Sequence, residues 1–237
     1  MCHQQSSIFH NRVLIHVNNN QKLNQLLLEI IADIGYFILL VNVILFSKGF
    51  SSKGKAFRIF TCYLIIMFVI QITVSVFQYF RMNNLFLSHF YFILQFILLS
   101  YFYLNLGLNK AQSLTVKAGF VFCLSLLAIQ YYNDSSQLLK FNLFEIFITS
   151  FLLIIYATFY LYNLLTDKKE FYYLNLGVLI YLFGSTVLFL AGDLLTLNAL
   201  RLEFSIWILN ALLYVVYQVF IFIEWKKNFS VKSRNDG

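Results

Sequence analysis

The stretch LTVKAGFVFCLSLLAIQY, residues 114–131, decides whether this chain crosses a membrane six or seven times. Lys117 lies in its predicted first turn, and only about 15 residues beyond it are cleanly apolar, whereas a crossing needs about 20. Six other stretches are long and apolar enough to cross. They cover residues 26–46, 57–80, 84–106, 141–164, 172–191 and 204–224.

The composition is that of an integral membrane protein, because 60% of the 237 residues are hydrophobic and only 11% are charged. Seven crossings use about 140 residues. No soluble domain fits in the remainder, which excludes a built-in kinase, nucleotide-binding domain or DNA-binding head of about 100 residues. We predict an all-α fold with a polar N-terminal tail (1–25), one seven-helix transmembrane domain (26–225) and a basic C-terminal tail (226–237).

Charge placement supports the seventh crossing, because Lys and Arg favour cytoplasmic loops. With seven helices and the N-terminus outside, twelve Lys and Arg lie on the inner side and five on the outer side. Without residues 114–131 as a helix, the counts become eight inside and nine outside. The sequence therefore predicts an outside N-terminus and a cytoplasmic C-terminus, in the cell (plasma or inner) membrane. The net charge of +7 is attributed to topology, and no nucleic-acid partner is predicted.

Ionisable residues inside a membrane are costly and indicate function by default. Six polar residues share the predicted outer depth and are the candidate ligand- or ion-binding residues: Glu29, Asp33, His89, Glu145, Asp193 and Asn210. They predict an acidic cavity that is open to the outside and binds a cation, a polar ligand or protons. We expect Asp33 and Glu29, spaced i and i+4, to be buried with His89 as their partner. For Glu145 and Asp193, which lie at helix ends, extension of the side chain to the interface is the simpler explanation.

Other polar and small residues predict packing. Gln71, Gln95 and Gln218 are expected to form hydrogen bonds between helices. The glycines at 177, 184 and 192 recur on one face of the sixth helix and predict close contact with a neighbour. Trp207 and Trp225 lie 18 residues apart and are predicted to sit at the two membrane interfaces. No metal motif and no GxSxG elbow occurs, so neither a cofactor nor a metal is predicted.

One resemblance lies in the last third of the chain. The segments GSTVLFLAGDLLTLNAL (184–200) and YVVYQVFIF (214–222) resemble the late motif of the lysoplasmalogenase-like YhhN family. The resemblance implies that Asp193 corresponds to one of the family's two membrane aspartates and Gln218 to its late glutamine. The early aspartate has no counterpart, because the second helix reads IMFVIQITVSVFQYF (66–80). Half of the catalytic pair is therefore missing.

A second resemblance covers more of the chain. SHFYFILQFILLSYFY (88–103), LIYLFGSTVLFL (179–190) and WILN (207–210) are similar to segments of uncharacterised seven-helix bacterial membrane proteins that are often encoded near sensor kinases. This resemblance implies a sensory or signalling accessory role.

Three functions follow as hypotheses. The first is a non-enzymatic sensor with no catalytic residue. A ligand, ion or proton binds in its acidic cavity from outside. A cytoplasmic or membrane partner detects the resulting helix movement by contacting the basic loop between Lys48 and Arg58 and the C-terminal tail. The second is a membrane hydrolase of ether lysolipids in which Asp193 is the acid or base. The third is a small transporter in which Glu29 and Asp33 couple proton or cation movement. Lys53, Lys55 and Arg58 also have the simpler role of setting topology and contacting anionic lipids of the bilayer.

Overall fold

A computed structural model describes the backbone of residues 19–165, 170–195 and 200–230, and the side chains of residues 23–165, 170–192 and 205–230. This part of the chain is all-helical. It contains seven helices long and apolar enough to cross a membrane. They are α1 (Asn19–Lys48), α2 (Lys55–Tyr79), α3 (Phe86–Leu104), α4 (Lys110–Asn133), α5 (Leu143–Asn163), α6 (Tyr172–Leu195) and α7 (Leu200–Glu224). A 3₁₀ turn, Ser135–Leu139, precedes α5, and a π turn, Trp225–Phe229, follows α7.

The uncertain stretch at 114–131 forms part of α4, which confirms seven helices. The helix begins earlier than the sequence predicts, because Asn109 caps it. The Asn109 side chain accepts a hydrogen bond from the Gln112 N–H, and the Gln112 side chain accepts one from the Asn109 N–H. Lys117 therefore lies two turns into the helix, where its side chain is exposed.

Six helices form a ring, and α4 lies outside it. Around the ring, α1 contacts α2, α2 contacts α3, α3 contacts α5, α5 contacts α6, α6 contacts α7 and α7 contacts α1. α4 packs in the groove between α3 and α5. We call the end of the bundle with the α2–α3 and α4–α5 connections the histidine end, and the end with the α1–α2 and α3–α4 connections the lysine end. The architecture is that of a multi-pass membrane protein.

The closest helix pair is α6 and α7, as the glycine spacing predicts. A Cβ atom added to Gly177 would lie 2.7 Å from the Cβ of Phe220. A Cβ added to Gly184 would lie 2.7 Å from a terminal carbon of Leu213. Only a residue without a side chain lets the two backbones approach this closely. The pair is therefore closely packed along its length between the two ends of the bundle.

Gly177→Ala is expected to destabilise the protein by about 1–3 kcal/mol, because the Cβ of Phe220 sits next to the backbone and has little freedom to move. Gly192→Ala is the matched control on the same helix, since its nearest neighbour is the mobile Cδ1 of Ile206 at 3.3 Å. Thermal melting of the purified variants in detergent measures the difference. Equal melting temperatures for the two variants would contradict the close packing at Gly177.

Tyrosines and amides fill the centre of the ring. Gln95 donates to the hydroxyl of Tyr63 over 3.2 Å, and the hydroxyl of Tyr217 donates to the same oxygen over 3.2 Å. Asn42 donates to the side-chain oxygen of Gln218 over 3.0 Å. These bonds join different helices, so the packing roles predicted for Gln95 and Gln218 are confirmed.

The fold also corrects the prediction for one tryptophan. Trp207 is buried at the histidine end, where its ring packs against Phe189 and Phe141 with centroid distances of 5.5 and 6.3 Å. Trp225 lies at the lysine end and is partly exposed. The two tryptophans thus mark opposite ends of the bundle, but only Trp225 has the exposure expected at an interface.

Candidate functional site

Three helices bring a histidine, a glutamate and a tyrosine together at the histidine end. His89 lies in the first turn of α3, Glu145 in the first turn of α5, and Tyr131 in the last turn of α4. Their neighbours in sequence place them there. Asn142 caps α5 by accepting a hydrogen bond from the Glu145 N–H over 3.2 Å, which puts the carboxylate at the positive end of the helix dipole.

The side chains of His89, Glu145 and Tyr131 meet at one point. His89 Nδ1 lies 2.9 Å from Glu145 Oε2 and 2.9 Å from the Tyr131 hydroxyl. The Tyr131 hydroxyl also contacts Glu145 Oε2 directly. Asn142 Nδ2 donates to the Tyr131 oxygen over 3.2 Å. We call these four residues the histidine cluster.

When Glu145 is ionised, the hydrogen bonds of the cluster determine which atoms of His89 and Tyr131 carry protons. A carboxylate only accepts hydrogen bonds, so Nδ1 of His89 carries a proton and donates it to Oε2. The Tyr131 hydroxyl receives a hydrogen bond from Asn142, and its own proton points to the same carboxylate oxygen. His89 Nε2 is then the ring nitrogen that carries no proton in the neutral imidazole.

The pair is buried, yet two of its polar atoms lack a partner. His89 is 3% exposed and Glu145 is 0% exposed. Among the described residues, His89 Nε2 and Glu145 Oε1 form no hydrogen bond. Unpaired buried polar atoms are costly, and in native proteins they mark sites where a ligand, water or proton binds. The arrangement can therefore bind a proton or a small polar group at the free atoms.

The structure corrects the predicted pairing of Asp33 with His89. Asp33 and Glu29 are exposed on α1, and the acidic partner of His89 is Glu145. The physical reason is the order of helices in the ring, since α1 packs against α2 and α7, whereas the histidine cluster lies among α3, α4 and α5. Spacing along α1 predicts that the two acids share a face, but the sequence does not show which neighbour that face meets.

The other candidate residues have different outcomes. The sequence suggested that the Glu145 side chain extends to the interface, and this prediction is wrong. Its carboxylate is fully buried against His89. Asn210 is buried in the wall of a small cavity with Tyr91 and Tyr181, rather than in the histidine cluster. Asp193 lies in the last turn of α6, and its side chain is outside the described residues.

Two residues of the cluster, Tyr131 and Asn142, were not predicted. A usable signal was their position, because they flank the short loop before α5 and lie close to Glu145 in sequence. Composition gives no reason to single out Tyr131, because the chain contains 16 tyrosines.

The part of the chain that the structure describes holds no group of three or more His, Cys, Asp or Glu side chains placed to bind a metal ion. At the lysine end a cavity of about 700 Å³ is lined by Lys53, Lys55, Asn105, Glu170 and Phe229, among others. The predicted basic loop therefore lies beside a cavity at the end opposite to the histidine cluster.

No family model, no curated protein and no solved structure matches this chain. The two resemblances described above stay predictions.

Proposed function

We propose that the protein is a non-enzymatic membrane sensor whose sensing element is the histidine cluster. The observation that supports this function best is the buried contact between His89 and Glu145, which has one unpaired polar atom on each side. Ionisable groups at membrane depth are rare and functional by default. In this proposal the histidine end faces outside, the lysine end faces the cytoplasm of the cell membrane, and a partner reads the lysine end.

The charge of the cluster changes with a single proton. With a neutral imidazole and an ionised Glu145, the buried group carries one negative charge, and a proton at Nε2 makes the pair neutral overall. In a low-dielectric interior this change alters the attraction between α3 and α5. A proton is therefore the simplest signal for this group to bind.

Among the residues whose side chains the structure describes, few other charges face the cluster. Tyr131 and Cys123 approach Glu145 from α4, and their protonated side chains carry no charge. Asp134, in the loop between α4 and α5, accepts hydrogen bonds from the Ser136 hydroxyl, from Gln137 and from the Ser136 N–H. These bonds lower the pKa of Asp134. Asp134 therefore stays ionised at neutral pH.

Trp207 reports on the state of the cluster. Its ring contacts Phe141, which directly precedes Asn142, and Asn142 donates to Tyr131. The chain has two tryptophans, so Trp225→Phe leaves Trp207 as the only one. In this background we expect the Trp207 emission to change in one step as the pH is varied. Fluorescence of the protein in nanodiscs, recorded with selective tryptophan excitation, measures it.

The controls separate the cluster from other acids. His89→Gln and Glu145→Gln should each abolish the step, whereas Asp33→Asn, at an exposed acid, should leave the midpoint unchanged. A step that survives both cluster substitutions would overturn the proposal. The hydrolase and transporter alternatives stay predictions.

A further inference from the structure

A groove opens on the outer face of the ring between α1 and α2. It has a volume of about 380 Å³ and is almost entirely apolar. Its walls include Tyr36 of α1 and Ile72, Ser75 and Val76 of α2. Ile72 and Val76 are exposed in the last two to three turns of a membrane-spanning helix, so the groove faces lipid near the histidine end.

A second, smaller cavity lies behind the groove. Its volume is about 30 Å³, and it reaches into the ring between Tyr91, Tyr181 and Tyr214. The two cavities share the side chains of Tyr36 and Gln71 in their walls. A cavity of this size holds a single water-sized group. The groove and the cavity together have the shape of a site for an apolar chain with one small polar tip.

Gln71 determines which polar tip fits. Its side chain is 7% exposed, and its Oε1 atom is buried without a hydrogen-bond partner among the described residues. An amide oxygen only accepts hydrogen bonds, so the missing partner is a donor. A hydroxyl group is a donor that matches the size of the small cavity.

We infer that this groove binds a lipid-phase alcohol, whose apolar chain lies against Ile72 and Val76 and whose hydroxyl donates to Gln71 Oε1. The groove volume is close to that of about a dozen water-sized groups. A chain of about twelve carbons therefore fits. This site is separate from the histidine cluster and does not depend on the proposed sensing function.

Photolabelling in nanodiscs tests the inference. The probe is dodecanol carrying a diazirine on its chain, and the labelled peptides are identified by mass spectrometry. We expect labels on residues 66–80, displaced by excess dodecanol about tenfold more effectively than by dodecane, which lacks only the hydroxyl. Gln71→Leu should remove this preference, whereas Gln78→Leu on the same helix should retain it.

A second pair of variants tests the groove itself and guards against misfolding. Ser75→Phe should fill the groove and remove the labelling, while Val69→Phe, at an exposed position outside the groove, should not. Melting curves identify any variant that fails to fold. Labels spread evenly over all seven helices would overturn the inference. Equal displacement by dodecane and dodecanol would also overturn it, because the small cavity would then hold water only.

Discussion

Glu145→Ala is expected to destabilise the protein by about 3–5 kcal/mol, because it leaves His89 buried without its charged partner. For a chain of this length, such a loss lowers the melting temperature by roughly 10 °C. His89→Ala should have an effect of similar size, since Glu145 is then buried without its imidazole. Thermal melting in detergent at neutral pH measures both.

A double-mutant cycle isolates the interaction between the two side chains. We expect the double variant His89→Ala with Glu145→Ala to be less destabilised than the sum of the single variants by about 1–3 kcal/mol. Asp33→Ala is the matched control, because Asp33 is an exposed acid and should change stability by less than about 0.5 kcal/mol. Strict additivity of the two cluster substitutions would contradict a direct His89–Glu145 contact.

Glu224→Ala is expected to destabilise the lysine end by about 3–5 kcal/mol, because the start of α6 then loses its cap. The Glu224 carboxylate accepts hydrogen bonds from the N–H groups of Phe171 (2.7 Å), Tyr173 (2.8 Å) and Leu174 (3.3 Å). It also holds Phe171 in a left-handed conformation with φ of 57°, which is unfavourable for a side chain of this size. Without the carboxylate, three backbone donors lose a charged acceptor.

Glu224→Gln should reduce the free energy of unfolding by about half as much as Glu224→Ala, because the amide keeps one accepting oxygen. Glu170→Ala is the control, since its side chain is exposed near the same helix start. Melting temperatures test the order of the three variants. Hydrogen exchange at the start of α6 adds a local readout, and unchanged protection there in Glu224→Ala would contradict the capping role.

Much of this fold is predictable from sequence because the membrane imposes length and polarity on each helix. The distribution of Lys and Arg was enough to predict the fourth helix. The spacing of glycines was enough to predict the contact between α6 and α7. Both signals are local or depend only on topology. The capping of α6 by Glu224 was not predictable in the same way, because it joins residues far apart in the chain.

The candidate site was predicted in part. His89 and Glu145 were recognised as ionisable residues at a common depth, but depth does not determine neighbours around a ring. The choice between Asp33 and Glu145 as the partner of His89 depends on helix order, which places α5 rather than α1 beside α3. Tyr131 joins the pair only because α4 lies outside the ring, in the groove between α3 and α5.

In the proposed sensing function, a change must pass from one end of the bundle to the other. The tight α6–α7 pair connects the ends, and Trp225 follows Glu224, which holds the start of α6. The central measurement is therefore the pH titration of Trp225 emission in a Trp207→Phe variant in nanodiscs. We expect a step with the same midpoint as that of Trp207, and we expect this step to be absent in His89→Gln. A Trp225 signal that stays flat while Trp207 titrates would contradict it.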